Sequence, residues 1–132
     1  MSQKSLGKQL LVEYHNCSRE LLDDVEYLRR VMIEAAKATG ATVVGEIFHH
    51  FNPYGVSGVV VIAESHLAIH TWPEYRYAAV DLFTCGSEIN PYKGFELIKN
   101  SLGSEVFFVK EMKRGEFGSD IPLSHKPSHI TV

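Results

Sequence analysis

The spacing of apolar and polar positions changes several times along the chain, and each change marks an element. From Leu6 to Tyr14, Leu and Val dominate, the composition of a strand. Ser18 stands where a helix cap is wanted, and Leu21, Leu22, Val25, Leu28, Met32, Ala35 and Ala36 recur at helical spacing until Gly40. The spacing predicts one amphipathic helix over that span. β-Branched and aromatic residues return from Thr42 to Phe51 and predict a strand, which Asn52-Pro-Tyr-Gly55 ends as a turn. Gly58 to Ala63 is a short apolar run that reads as a strand buried on both faces, and His66 to Trp72 alternates with a period of two.

Pro73 to Arg76 breaks that segment from another strand, Tyr77 to Thr84. Pro91 suits the first turn of a second helix carrying Phe95, Leu97, Ile98 and Leu102, and Glu105 to Val109 predicts a last strand. The stretch from Gly115 on is rich in Gly, Pro, Ser and His and reads as a loosely held tail. Strands mostly in succession with two helices among them predict an α+β two-layer sandwich, its mainly antiparallel sheet carrying both helices on one face.

Parity divides that sheet. Leu67, Ile69, Ala78, Val80 and Leu82 make one aliphatic face, where the helices are expected. The opposite face offers His66, His70 and Trp72 beside Tyr77, Asp81, Phe83 and Cys85. A polar, aromatic, thiol-bearing face is either solvated or set against a partner. If a second copy covers it, the result is a two-fold αββα dimer.

Composition narrows the class. With 132 residues, one domain spanning 1–132 is expected. The 45% apolar and 22% charged content is that of a globular protein, and the thirteen Lys and Arg are scattered under a net charge of -3. No basic stripe for nucleic acid exists. No apolar run approaches the ~20 residues that cross a bilayer, and Met1 to Gly7 has no apolar signal core, so no membrane partner and a cytoplasmic location are expected. Cys17 and Cys85 are too few for a disulfide scaffold. Cys85 then reads as thiol chemistry or as packing.

Three residues invite chemistry and each has a plainer reading. Ser65, between two strand segments, is by itself a turn former. Its parity excludes a shared face with His70 in one unbroken strand. His70 is a general base or an ordinary surface imidazole. Cys85 is an acid or a small buried hydrophobe. A metal reading is weaker, since His66, His70, His49, His50 and Cys85 have no HExxH or CxxC spacing to preset a pair of ligands.

Taken together, FNPYGVSGVVVIAESHLAIHTWPEYRYAAVDLFTCG from Phe51 to Gly86 resembles the pyruvoyl-dependent S-adenosylmethionine decarboxylases of the short prokaryotic type. ESHL, HTWPE and DLFTCG appear in it together, and the opening Ser5-Leu-Gly-Lys is similar to the family start. The resemblance implies self-cleavage between Glu64 and Ser65 into chains 1–64 and 65–132. Residue 65 becomes a covalent pyruvoyl group, with no metal and no pyridoxal phosphate.

It also implies roles. Ser65 attacks the Glu64 carbonyl and later forms the Schiff base with substrate, His70 is the processing base, and Ser57 assists. Cys85 donates the proton after carbon dioxide leaves, and an ordinary thiol, with a pKa near ~8.5, still carries that proton at neutral pH. A sulfonium and an adenine want aromatic faces and a carboxylate, for which Phe51, Trp72, Phe83 and Glu74 are candidates. The implied partners are S-adenosylmethionine and a homodimer of processed pairs serving polyamine synthesis. The rival functions are a pyruvoyl decarboxylase of another amino acid and a non-catalytic α+β binding module.

Overall fold

The structure, a computed structural model, describes residues 5–117, 122 and 123. The elements run β1 (Ser5–His15), α1 (Arg19–Leu22), α2 (Val25–Ala38), β2 (Val43–His50), β3 (Val56–Ile62), β4 (Ser65–Trp72), β5 (Tyr77–Cys85), α3 (Pro91–Leu102) and β6 (Val106–Glu116). A 3₁₀ turn over Pro73–Tyr75 joins β4 to β5. One six-stranded sheet has the order β2-β3-β4-β5-β1-β6, every neighbouring pair antiparallel.

The aliphatic parity face is the core face, as expected. Leu67 and Ile69 of β4 and Ala78, Val80 and Leu82 of β5 are buried with Leu10, Val12 and Tyr14 of β1. Over them lie Leu28, Met32, Ala35 and Ala36 of α2 and Phe95, Ile98 and Leu102 of α3. The Tyr14 hydroxyl donates to the Phe95 carbonyl at 2.8 Å, so this large core residue leaves no polar atom stranded. Burial accordingly pushes the Tyr14 hydroxyl pKa upward. Among the described residues no helix covers the other sheet face, and none is long and apolar enough to cross a membrane.

Three local expectations change. The single helix from Ser18 to Gly40 is two, because Asp24 restarts it: its carboxylate accepts from the Tyr27 amide at 3.0 Å, while Asp23 caps the short α1. The run Gly58 to Ala63 is not buried on both faces. Val60 and Ile62 are buried but Val61 is 44% exposed, because the helices pack against one side only. The last strand continues past Val109 to Glu116, pairing with the whole of β1 from Ser5↔Glu116 to His15↔Val106. Backbone pairing defines this edge strand, and its exposed side chains leave little apolar alternation. Of the tail expected from Gly115, Gly115 and Glu116 belong to β6, and besides them only Phe117, Pro122 and Leu123 are among the described residues.

Candidate active site

The β3–β4 hairpin turns on two residues, Ala63 and Glu64, between the paired Ile62 and Ser65. Ser65 takes φ +126°, a conformation that costs a residue with a Cβ on the order of 1–3 kcal/mol. The strain is anchored on both sides. Ser65 pairs with Thr84 in the β4–β5 ladder, and the Ala63 amide donates to the Thr42 carbonyl at 2.9 Å. The Thr42 amide returns a hydrogen bond to Glu64 Oε1 at 3.2 Å.

Next to the turn, the Cys85 amide donates to the Glu64 carbonyl at 2.9 Å, and Ser65 Oγ lies 3.3 Å from Cys85 Sγ. The carbonyl ahead of the strained serine is thus polarised by a fixed donor. Cys85 is buried at the end of β5, where β1 opposes it with Gly7. A Cβ at Gly7 would stand 2.5 Å from the Thr84 carbonyl oxygen and 2.6 Å from the sulfur, so this close approach needs glycine. A cavity of about 560 Å³ opens here, lined by Gly40, Glu64, Cys85 and Gly86 to Ile89.

The far end of the same ladder holds a second group. The register places Ser57 opposite His70, and Ser57 Oγ lies 2.7 Å from His70 Nδ1. Around them a cavity of about 310 Å³ is lined by Phe51, Tyr54, Gly55, Thr71, Trp72 and Glu74. Phe51 packs edge-on against His49 at 4.4 Å, and Trp72 stacks on Tyr77 at 5.3 Å. Tyr77 donates to Glu13 at 2.8 Å; burial first, then this bond, lifts its hydroxyl to about 12. Asp23 reaches the pocket wall from the helix side without lining the cavity, accepting at Oδ1 from the Gly55 amide at 2.8 Å and meeting His50 Nε2 at 2.8 Å. Burial works to raise the Asp23 carboxyl, yet these two partners hold it below the ordinary carboxylate value.

Eight of the nine residues singled out by sequence therefore fall into two groups. Glu64, Ser65 and Cys85 meet at one end, while Ser57, His70, Phe51, Trp72 and Glu74 meet at the other. Phe83 joins neither cavity lining; it packs edge-on against His66 at 5.7 Å, with the Arg114 guanidinium 5.2 Å from its ring centre. Five residue-to-residue steps along one extended strand separate Ser65 from His70, roughly 16 Å. Tyr54 and the 86–89 loop escaped the sequence reading. Their only signal was turn chemistry, which says nothing about what a turn lines. Among the described residues no group of three or more His, Cys, Asp or Glu is arranged to hold a metal ion.

A strained serine at a hairpin, a carbonyl before it that accepts a fixed amide and a thiol beside it thus meet at one end of a two-layer α+β chain. The sequence model described as S-adenosylmethionine decarboxylase matches residues 8–115. An S-adenosylmethionine decarboxylase proenzyme of Thermosipho melanesiensis is 56% identical over 86% of this chain and 88% of its own. One of Fervidobacterium nodosum is 53% identical over 98% of this chain and 93% of its own. The crystal structure of the adenosylmethionine decarboxylase from Aquifex aeolicus superposes with a TM-score of 0.84 at 30% identity, covering 92% of this chain and all of that one. The chain belongs to the S-adenosylmethionine decarboxylase family, a family of enzymes.

Proposed function

We propose that this chain is a proenzyme that cleaves itself between Glu64 and Ser65 and then decarboxylates S-adenosylmethionine, working as a homodimer of processed 1–64 and 65–132 pairs in the cytoplasm. The observation that carries the reading is Ser65 at φ +126°, directly after a carbonyl that accepts the Cys85 amide at 2.9 Å. An ordinary amide is stable, so strain and polarisation at this one bond single it out.

The processing chemistry follows in balanced steps. Ser65 Oγ attacks the Glu64 carbonyl carbon, the C–N bond breaks, and Glu64 is left as an ester on Oγ with the Ser65 amine free. A base removes the Ser65 α-proton and the Glu64 carboxylate leaves, giving dehydroalanine. Its imine tautomer takes up one water, releases ammonia and leaves a pyruvoyl group.

The residues present fit that group. Its position would be held by the ladder pair at Thr84, beside the Cys85 thiol and against the cavity lined by Cys85 and Gly86 to Ile89. A pyruvoyl group supplies a ketone that condenses with an amine and accepts electron density as carbon dioxide leaves. Cys85 Sγ, 3.3 Å from Ser65 Oγ, is the group we assign to the protonation that follows loss of carbon dioxide, and Glu64 and Glu88 border the same space.

His70 is the base we assign to the α-proton step, oriented by Ser57. Proton transfer needs about 3 Å, or one intervening water, and the roughly 16 Å along one strand is far outside that reach. The reading therefore requires two copies, the open faces packed together so that Ser57 and His70 of one complete the Ser65 and Cys85 end of the other. Val61, Trp72 and Leu11, exposed by 44, 39 and 39%, supply apolar surface for such an interface. Phe51, Trp72 and Glu74 then receive the nucleoside and sulfonium parts of the substrate.

Denaturing electrophoresis and intact mass test the reading. Fragments ending at Glu64 and starting at a blocked residue 65 are expected, with S-adenosylmethionine turnover lost to borohydride in the presence of substrate. A chain that stays intact and inactive after long incubation, with a free Ser65 hydroxyl, overturns it.

A further inference from the structure

The break between α1 and α2 lies against the far pocket. Leu22, the last residue of α1, accepts at its carbonyl from Thr71 Oγ1 at 2.7 Å, and Thr71 Oγ1 accepts from the Val56 amide at 2.9 Å. One residue on, a single oxygen, Asp23 Oδ1, takes both the Gly55 amide and His50 Nε2. Gly55 also closes the loop on itself, its carbonyl accepting from the Phe51 amide at 2.7 Å. It does so at φ +108°, where a Cβ would stand 3.3 Å from the Thr71 carbonyl oxygen.

One carboxylate oxygen thus ties both ends of the 51–55 loop to the helix layer: His50, the last residue of β2, and Gly55, just ahead of β3. Between those ends lie Phe51 and Tyr54, both lining the pocket and exposed by 46% and 45%. Packing alone leaves such half-exposed rings free to shift. The bonds to Asp23 tie the ends of the loop that bears them to the helix layer.

We infer that Asp23 is a positioning residue for substrate binding, acting through His50 and Gly55 on the aromatic loop without touching substrate itself. The inference rests on the assignment of this pocket to S-adenosylmethionine. Since Asp24, and not Asp23, caps α2, replacing Asp23 leaves the helix start intact.

The test is steady-state kinetics on fully cleaved protein, which removes any effect on processing. Asp23→Ala is expected to raise KM for S-adenosylmethionine about five- to tenfold, within the range for one ordinary hydrogen bond, with kcat within twofold. Asp23→Asn keeps an acceptor oxygen and should return KM to within about twofold of the parent. His50→Ala removes one of the two donors without touching a helix cap and should raise KM roughly two- to threefold. Combined with Phe51→Ala, Asp23→Ala should add less than its own factor, because the ring it positions is gone.

An unchanged KM in both Asp23→Ala and His50→Ala overturns the inference. So does full multiplication of the Asp23 and Phe51 factors, or an Asp23→Asn variant as poor as Asp23→Ala. If Phe51→Ala itself leaves KM unchanged, the pocket assignment falls and takes the inference with it. If Phe51→Ala raises KM while Asp23→Ala does not, only the inference falls.

Discussion

The two ends of the β3–β4 ladder are built by different means. At the hairpin end the reactive features belong mostly to the backbone: a strained φ at Ser65, a carbonyl held by the Cys85 amide and a Gly7 that admits the sulfur. At the far end they belong to side chains, the Ser57–His70 pair and the rings of Phe51 and Trp72 around a cavity. Bond-breaking at a peptide needs geometry that only a fixed backbone supplies, whereas binding and proton transfer need groups that can be presented across an interface. Each end holds what the other lacks. This is why we read the functional unit as two chains.

The sharpest way to break that reading is complementation, where the effect is all or none. Ser65→Ala and His70→Ala should each remain uncut alone. In heterodimers of the two, the His70→Ala chain keeps its own Ser65 and meets an intact His70 from the other subunit, so that chain should be cut. Electrophoresis of co-expressed, differently tagged chains reads this directly. If the His70→Ala chain stays intact beside Ser65→Ala, the base acts within one chain and the two-copy arrangement is wrong.

Cys85→Ala separates cleavage from turnover. The Cys85 amide survives the substitution and still polarises the Glu64 carbonyl, so cleavage should proceed at least in part. Decarboxylation should fall ~10²- to 10⁴-fold as the general acid is lost. A folded, cleaved Cys85→Ala as active as the parent would reduce Cys85 to packing. Gly7→Ala should act on the same spot by another route, pressing a Cβ into the Thr84 carbonyl and the Cys85 sulfur. Overpacking there should cost about 1–3 kcal/mol in chemical denaturation and lower activity. Unchanged stability and turnover would mean that the strand ends are loose enough to part.

The elements legible in the sequence are those with one wet and one dry face. Leu67, Ile69, Ala78, Val80 and Leu82 announce the core by parity because a sheet covered on one side sorts residues with period two. The α1–α2 break was not legible, since Asp23 and Asp24 fit a helical surface as well as a cap until Tyr27 and Gly55 show what they bond. The full length of β6 was hidden because a backbone ladder defines it and its exposed side chains carry no period-two pattern. Of the site, the residue types were readable and their grouping was not. Parity correctly separated Ser65 from His70, but only register and the ladder's length turn that separation into two ends of a sheet.

The smallest expected effect concerns a side-chain bond that holds the hairpin turn. Glu64 Oε1 accepts from the Thr42 amide at 3.2 Å, and the Ala63 amide donates to the Thr42 carbonyl, so Thr42 clips the turn from outside. Losing the carboxylate leaves the Ala63–Thr42 bond, the Ile62↔Ser65 and Ser65↔Thr84 pairs and the Cys85 amide all in place. If strain at Ser65 is set by backbone, Glu64→Ala should slow cleavage only about two- to tenfold, the range for one solvent-accessible hydrogen bond. Glu64→Gln keeps an acceptor and should cleave near the parent rate. The time course of fragment appearance after denaturation and refolding measures both. Should Glu64→Ala arrest cleavage as completely as Ser65→Ala while still folding, the side chain takes part in the reaction itself, and the hairpin end is no longer a site made by backbone.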